Sequence, residues 1–246
     1  MASYSSQLEH LIDDLGGCGL LQKLLCIIIH SSSTVIFWST LAMAFIGYEP
    51  GFTCHTLNVK LPSLSALNLS NLSADRLCSI GPDAKCTAYR FPQSLNTVVS
   101  EWNLVCDRRW IVAFITSIQM AGFLVGSITA GQMADSTGRK TTMIAGISTV
   151  VLFNFAGLFA QSWEAYSAIR FFIGIGAGLF CTVQFTHMVE FVPPLWRPLV
   201  VCIPSEPVIS ILFALVSWWL HDWKRIHLLK TILGVFFFNY SMVCQC

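Results

Sequence analysis

Six long apolar runs limit what this chain can fold into. A helix needs about 20 mostly apolar residues to cross the hydrocarbon core of a bilayer, and each run is close to that length. The segments between them are polar and, with one exception, short. We therefore expect an all-α polytopic membrane protein. The predicted spans are Leu24–Ile46, Trp110–Met133, Thr141–Ala160, Ala165–Val189, Leu199–Leu220 and Ile226–Val243.

The composition also favours a membrane protein. Hydrophobic residues make up 54% of the 246 residues and charged residues only 11%, whereas soluble domains carry about 25% charged residues. The net charge of +1 gives no reason to expect nucleic acid as a partner. Acidic residues precede the first run, which is also too long for the core of a signal peptide. Residues 24–46 are therefore predicted to be an uncleaved first transmembrane helix.

The exception is the segment of residues 47–109, which is far longer than a usual connection. An even number of cysteines together with glycosylation sequons is typical of the secretory lumen. The cysteines allow three pairings, among which the sequence does not choose. The candidates are Asn68 and Asn71 for glycosylation and Cys54, Cys78, Cys86 and Cys106 for disulfides.

These features predict the membrane orientation. Residues 47–109 become an extracellular, glycosylated, disulfide-bonded loop, so that residues 1–23 are cytosolic and residues 110–246 form transmembrane helices two to six. In this orientation the basic residues flanking the spans divide equally between the two sides. The positive-inside rule therefore does not decide, and the prediction depends on the chemistry of the loop.

The joint between the second and third runs is a compact polar segment, GQMADSTGRK. Glycine permits a tight turn and close helix approach, while aspartate can cap a helix or pair with arginine. A plain polar turn would use similar residues. The pattern G-x-x-x-D-x-x-G-R-K resembles the loop signature of the major facilitator superfamily. It is formed by Gly131, Asp135, Gly138, Arg139 and Lys140.

Further segments resemble the organic cation, carnitine and organic anion transporter family within that superfamily. Arg170 opens RFFIGIGAG, and Glu190 opens EFVPPLWR. The long loop after the first span and the sequence EWNLVCD before the second also match. The resemblance implies the six-helix N-terminal half of a major facilitator superfamily fold. It also implies a structural motif at Arg170, Gly174 and Gly178, and conformational latches at the GQMADSTGRK joint and at Glu190 and Arg197.

The sequence departs from the family pattern in two places. Ser136 stands where the signature carries arginine, which weakens the latch, and the usual Pro-Glu-Ser-Pro exit of the sixth span is missing. The family fold has two halves that hold substrate between them, and only the first half is recognisable. We therefore expect a transporter half, with the ending NYSMVCQC pointing to an alternative exon, a frameshift or an incompletely assigned gene.

Polar residues inside the spans are functional candidates. Glu206, Gln184 and His30 are predicted to face the substrate cavity, where Glu206 would attract a cationic group. Glu206 could instead pair with Arg197 or His187 or lie near the lipid headgroups, and His30 could be a hydrogen-bonded packing residue rather than a proton carrier. Arg170 and Lys230 are expected to pair with other groups or to snorkel towards the membrane surface.

The predicted function is transport of organic ions by alternating access in a facilitator-type secondary transporter of the plasma membrane, with a cation or zwitterion favoured. The expected partners are a small organic ion, the lipid bilayer and a full-length transporter. The alternative is a truncated, non-transporting isoform that is inactive or interferes with that partner. No motif for catalysis, metal binding or nucleotide binding is found in the sequence. We therefore expect no enzyme, no metal and no cofactor.

Overall fold

The computed structural model describes residues 20–59, 78, 84–92, 95–191 and 205–244. A short antiparallel strand pair and a short helix lie between the first two long helices. The elements are α1 (Leu20–Ile46), β1 (Thr53–Val59), β2 (Ala84–Arg90), α2 (Val98–Trp102), α3 (Trp110–Thr137), α4 (Arg139–Gly157), α5 (Trp163–Phe191), α6 (Ser205–Leu220) and α7 (Trp223–Cys244).

The expected all-α membrane architecture is confirmed. Three segments in the described ranges are long and apolar enough to cross a membrane, namely Ile29–Ile46, Cys106–Thr137 and Trp163–Val189. Residues 207–220 of α6 form a shorter apolar helix, and the predicted start of that span at Leu199 lies outside the described residues. Large apolar side chains remain exposed on α3, α4, α5, α6 and α7, as expected for a chain that meets lipid on its outside. The chain is a multi-pass membrane protein.

Some helices extend beyond the approximate apolar spans predicted from the sequence. α3 continues through residues 134–137, so Gly138 alone separates it from α4. Gly138 turns the chain with φ of 93°, a value that glycine adopts without steric cost, and its carbonyl accepts hydrogen bonds from Thr142. α7 begins at Trp223 rather than Ile226, because the Asp222 carboxylate accepts a hydrogen bond from Lys224 N at 3.1 Å.

Backbone contact between α3 and α5 is made possible by glycine. Gly122 and Gly126 of α3 face Phe171 and Ile175, while Gly174 and Gly178 of α5 face α3. α5 also packs on α4, and α7 packs on α4 and α1. α1 contacts α6 through the Trp38 indole, whose Nε1 donates to the Ile209 carbonyl at 3.1 Å.

Residues 95–109 form a cap over one end of the bundle, called here the loop-side end. The cap buries Val98, Val99, Leu104 and Val105 in the hydrophobic core. The structure places a disulfide between Cys78 and Cys106. This bond is one of the cysteine pairings among which the sequence did not choose. Cys54 and Cys86 lie on β1 and β2, and their pairing stays a prediction. Asn68 and Asn71 lie outside the described residues.

The cap holds the loop-side ends of two later helices. The Trp102 indole donates to the Gln161 carbonyl at 3.3 Å, next to the start of α5. Lys224 of α7 forms an ion pair with Glu101 at 2.7 Å. Because the joints before α5 and α7 meet the same cap, both joints lie at the loop-side end.

We expect Thr97→Ala to lower the free energy of unfolding by about 1 kcal/mol. Thr97 and Ser100 form a capping box at the start of α2, in which each side chain accepts a hydrogen bond from the other's backbone N–H. Thermal unfolding of the detergent-purified chain measures the loss. Thr129→Ala is the control, because the exposed Thr129 hydroxyl bonds only within α3. Equal effects of the two substitutions would contradict the capping role.

Candidate functional site

A group of polar side chains lies inside the bundle, and we call it the Arg170 cluster. Its members come from five helices: Arg170 and Tyr166 lie on α5, and the other members lie on the four neighbouring helices. Each member is at most 1% exposed. The cluster consists of Ser39 of α1, Gln119 of α3, Asn154 of α4, Tyr166 and Arg170 of α5, and His227 and Lys230 of α7.

Arg170 makes the central contacts. Its Nη1 donates to the Ser39 carbonyl at 2.9 Å and to Gln119 Oε1 at 3.3 Å. Its Nε donates to the Tyr166 hydroxyl at 2.9 Å. Nη2 also donates to that hydroxyl and lies 3.4 Å from His227 Nε2. A guanidinium has five N–H donors, so these contacts occupy all of them.

Tyr166 and His227 continue the network. Because the Tyr166 hydroxyl oxygen accepts from Arg170, its own hydrogen is available for His227 Nε2, which lies 3.0 Å away. These contacts assign Nε2 as an acceptor, so the proton of the neutral imidazole resides on Nδ1. Asn154 adds a link between α4 and α1, with Nδ2 donating to Ser39 Oγ at 2.9 Å.

The helix geometry explains why these residues meet. Tyr166 and Arg170 are four residues apart, and His227 and Lys230 are three apart, so each pair shares a helix face. Arg170 and Lys230 each lie seven residues from the loop-side start of their helix, or about 10 Å at the helical rise. The cluster therefore lies about 10 Å below the loop-side end.

Arg170 and Lys230 do not behave as predicted. Both are fully buried, so the expectation of snorkelling was wrong. Neither forms an ion pair with an acidic side chain among the described residues, so the expected pairing is also absent there. Arg170 has hydrogen bonds to neutral groups in place of a counter-ion. Lys230 Nζ is buried without any hydrogen-bond partner in the described chain.

The predicted cavity residues lie apart from this cluster. Gln184 is buried towards the far end of α5, and His30 is half-buried on α1. Glu206 lies in the first turn of α6, at the end away from the cap. The cavity role of these residues stays a prediction.

The predicted latch is only partly described. Asp135 is exposed in the last turn of α3, while Arg139 and Lys140 are half-buried at the start of α4. Both residues are described, and the structure shows no ion pair between Asp135 and Arg139. A side chain at Gly131 would meet open space, so the expected close approach is not found within the described residues. Arg197 lies outside them, and Glu190 lies on α5.

Sequence reasoning missed most members of the Arg170 cluster. Ser39, Gln119, Asn154, Tyr166 and His227 are ordinary polar residues in apolar helices, and no motif joins them. A usable signal was present on α7, where His227 and Lys230 share one face of a helix that is otherwise apolar at that depth. Such residues inside a membrane helix face the interior of the bundle.

Comparison with known proteins gives consistent matches. The family model described as "Sugar (and other) transporter" matches residues 25–239. "Organic cation transporter-like protein" of Drosophila melanogaster is 27% identical over 261 residues, covering 96% of this chain and 46% of that protein. "Solute carrier family 22 member 16" of Homo sapiens is 38% identical over 97 residues, covering 39% of this chain and 17% of that protein.

A solved structure shows the same fold. The crystal structure of D-xylose-proton symporter matches with a TM-score of 0.56 at 12% identity, covering 89% of this chain and 47% of that chain. The present chain spans about half the length of the curated relatives that it matches over almost all of its own length. The similarity therefore concerns one six-helix unit.

Proposed function

The chain belongs to the sugar (and other) transporter family of the major facilitator superfamily, and we propose that it provides the six-helix unit of an organic ion transporter. The observation that carries the proposal is the match along 96% of the chain to a protein named for organic cation transport. Relatives with similar names include an organic cation transporter protein and solute carrier family 22 members. These are names of transporters and not of enzymes.

The bundle is suited to move as one unit. Arg170 bonds side chains or backbone of α1, α3 and α5 and contacts α7. Glycine-mediated contact between α3 and α5 adds a second rigid connection. In alternating access, one such unit rocks against another around a central substrate. This supports a transport cycle in which the internal contacts of the unit are preserved.

The proposed substrate is a small organic cation or zwitterion at the plasma membrane. Glu206 supports a cationic group, because a carboxylate inside a membrane helix is costly without a partner of opposite charge. The joint Asp135–Lys140 and residues 190–197 would act as latches at the cytosolic face, with the glycosylated loop outside. Breaking and forming such contacts at a helix end shifts the balance between two states.

The transport proposal is tested by uptake of radiolabelled tetraethylammonium, betaine and benzoate. The chain is expressed alone and fused to the C-terminal half of the matching Drosophila protein. Saturable uptake of tetraethylammonium or betaine by the fusion supports the proposal, and uptake of none of the three would contradict it. Co-expression of the unfused chain with the full-length relative adds a further arm. Reduced uptake there would indicate an interfering product instead.

We expect Glu206→Gln in that fusion to lower tetraethylammonium uptake about tenfold, since a contact with a charged group contributes about 1.5 kcal/mol. Surface expression, measured by biotinylation, should be unchanged. Asp107→Asn is the control, because Asp107 is exposed within the cap, whereas Glu206 lies at the end of α6 away from the cap. Full uptake by Glu206→Gln would remove Glu206 from the substrate cavity.

A further inference from the structure

Lys230 has an unusual position for a charged residue. It is fully buried, and its Nζ has no hydrogen-bond partner among the described residues. When it is protonated, this amino group offers three N–H donors that no described residue uses. His227, one turn earlier on the same face of α7, lies beside the guanidinium of Arg170. Lys230 and Arg170 each lie seven residues from the loop-side start of their helix, so both basic side chains belong to the same level of the bundle.

Buried positive charge in this cluster needs compensation. Moving a charged side chain from water into the protein interior costs several kcal/mol per ion unless an opposite charge is near. Arginine cannot avoid this cost by losing its proton. Hydrogen bonds to neutral oxygens satisfy the donors of Arg170 but leave its charge in place. The cluster therefore retains a net positive charge that no described side chain balances.

The acidic residues of the neighbouring helices lie at other depths. Glu164 is exposed in the first turn of α5. Glu206 lies fourteen residues before Leu220, the loop-side end of α6, which places it roughly 21 Å along that helix. The Arg170 cluster lies about 10 Å from the same end. Neither residue is at the level of Lys230 along its helix.

We propose that Lys230 and Arg170 bind a small monovalent anion inside the bundle, either chloride or the carboxylate of a small organic molecule. Lys230 supplies the hydrogen-bond donors, because those of Arg170 are occupied. Arg170 supplies a second positive charge at the same level of the bundle, in a medium of low dielectric constant where Coulomb attraction is strong. The site is separate from the predicted cation contact at Glu206 and does not depend on the transport proposal.

The test measures binding without transport. The purified wild-type chain in detergent is unfolded thermally in sodium chloride and in sodium gluconate at an ionic strength of about 0.15 M. Gluconate is too bulky for a fully buried site. We expect a midpoint about 2–4 °C higher in chloride, as for a ligand that binds only the folded state. Saturable binding of radiolabelled chloride to the same preparation provides a second, direct measurement.

Two variants assign the effect to the site. Lys230→Met removes the charge at similar volume and should abolish both the midpoint difference and the chloride binding. Lys224→Met is the matched control, because Lys224 is a partly exposed lysine of the same helix, and it should retain both. If Lys230→Met fails to fold, Lys230→Arg takes its place and should retain the anion dependence.

The remaining outcomes decide between the alternatives. A wild-type midpoint that is equal in the two salts, with no saturable chloride binding, overturns the proposal and indicates an uncharged Lys230. A midpoint difference that persists in Lys230→Met also overturns it, since the effect then arises at the surface. Competition by acetate or betaine against labelled chloride identifies carboxylate as a ligand of the site, and absence of competition identifies a halide site.

Discussion

Gly174→Ala is expected to lower the free energy of unfolding by about 3 kcal/mol, as overpacking of a close contact does. An added Cβ at Gly174 would overlap the Gln119 carbonyl oxygen and lie 2.9 Å from Phe123 N. Both atoms belong to the backbone of α3, so no side-chain rotation relieves the clash. The two helices must separate, which also displaces Gln119 from Arg170. Thermal unfolding in detergent and the monodisperse fraction in size-exclusion chromatography measure the loss.

Gly131→Ala provides the matched control for this prediction. Gly131 lies on α3, is exposed, and has no atom within 4 Å of an added Cβ. Replacing an exposed helical glycine by alanine should stabilise the chain by about 0.5–1 kcal/mol through helix propensity. Glycine-to-alanine substitution is therefore expected to lower the free energy of unfolding at Gly174 and to raise it at Gly131, although both glycines belong to segments that resemble family motifs. A stable Gly174→Ala protein would show that the distance between α3 and α5 is larger than described.

Arg170→Met is expected to cost about 3 kcal/mol, because several buried acceptors lose their donor at once. The Ser39 carbonyl, Gln119 Oε1 and the Tyr166 hydroxyl all accept from this guanidinium. Methionine fills part of the volume but donates to none of them. Arg170→Lys should recover only part of the loss, since an ammonium group cannot reproduce the planar fork.

The control for the arginine substitution is Arg225→Met on α7. The Arg225 side chain is 71% exposed, and its contact with Asp222 is long at 3.7 Å. Pairs of this kind contribute at most about 1 kcal/mol, so the midpoint of thermal unfolding should change little. If both arginine variants unfold at the wild-type temperature, the Arg170 cluster does not hold the helices together.

The positions of the helices could be predicted because apolar length is a local property of a sequence. The limits at Gly138 and Trp223 were less accurate, because they depend on a backbone dihedral angle and on one side-chain cap. The Arg170 cluster could not be assembled from the sequence. Ser39 and Arg170 are 131 residues apart, and a serine in an apolar helix does not indicate which helix it will face.

In the candidate site, too, local motifs could be identified from the sequence, whereas contacts between distant residues could not. The resemblance to a transporter family identified Arg170 and its glycines, and the structure gives them neighbours. The absence of a described acidic partner for Lys230 depends on the arrangement of five helices, which a single sequence does not specify. Conversely, the cavity residues and the latch were selected from sequence alone, and their roles await the uptake experiments.

The cap has a consequence for the order of events during synthesis. Asn96 contacts Asp222, and Glu101 pairs with Lys224, across separations of 126 and 123 residues. At about 5–20 residues per second, the ribosome needs roughly 6 to 25 seconds to deliver the later partner. The cap segment is therefore synthesised many seconds before its contact residues at the start of α7. The contacts between the cap and α7 can therefore form only after the last of the described helices has been synthesised.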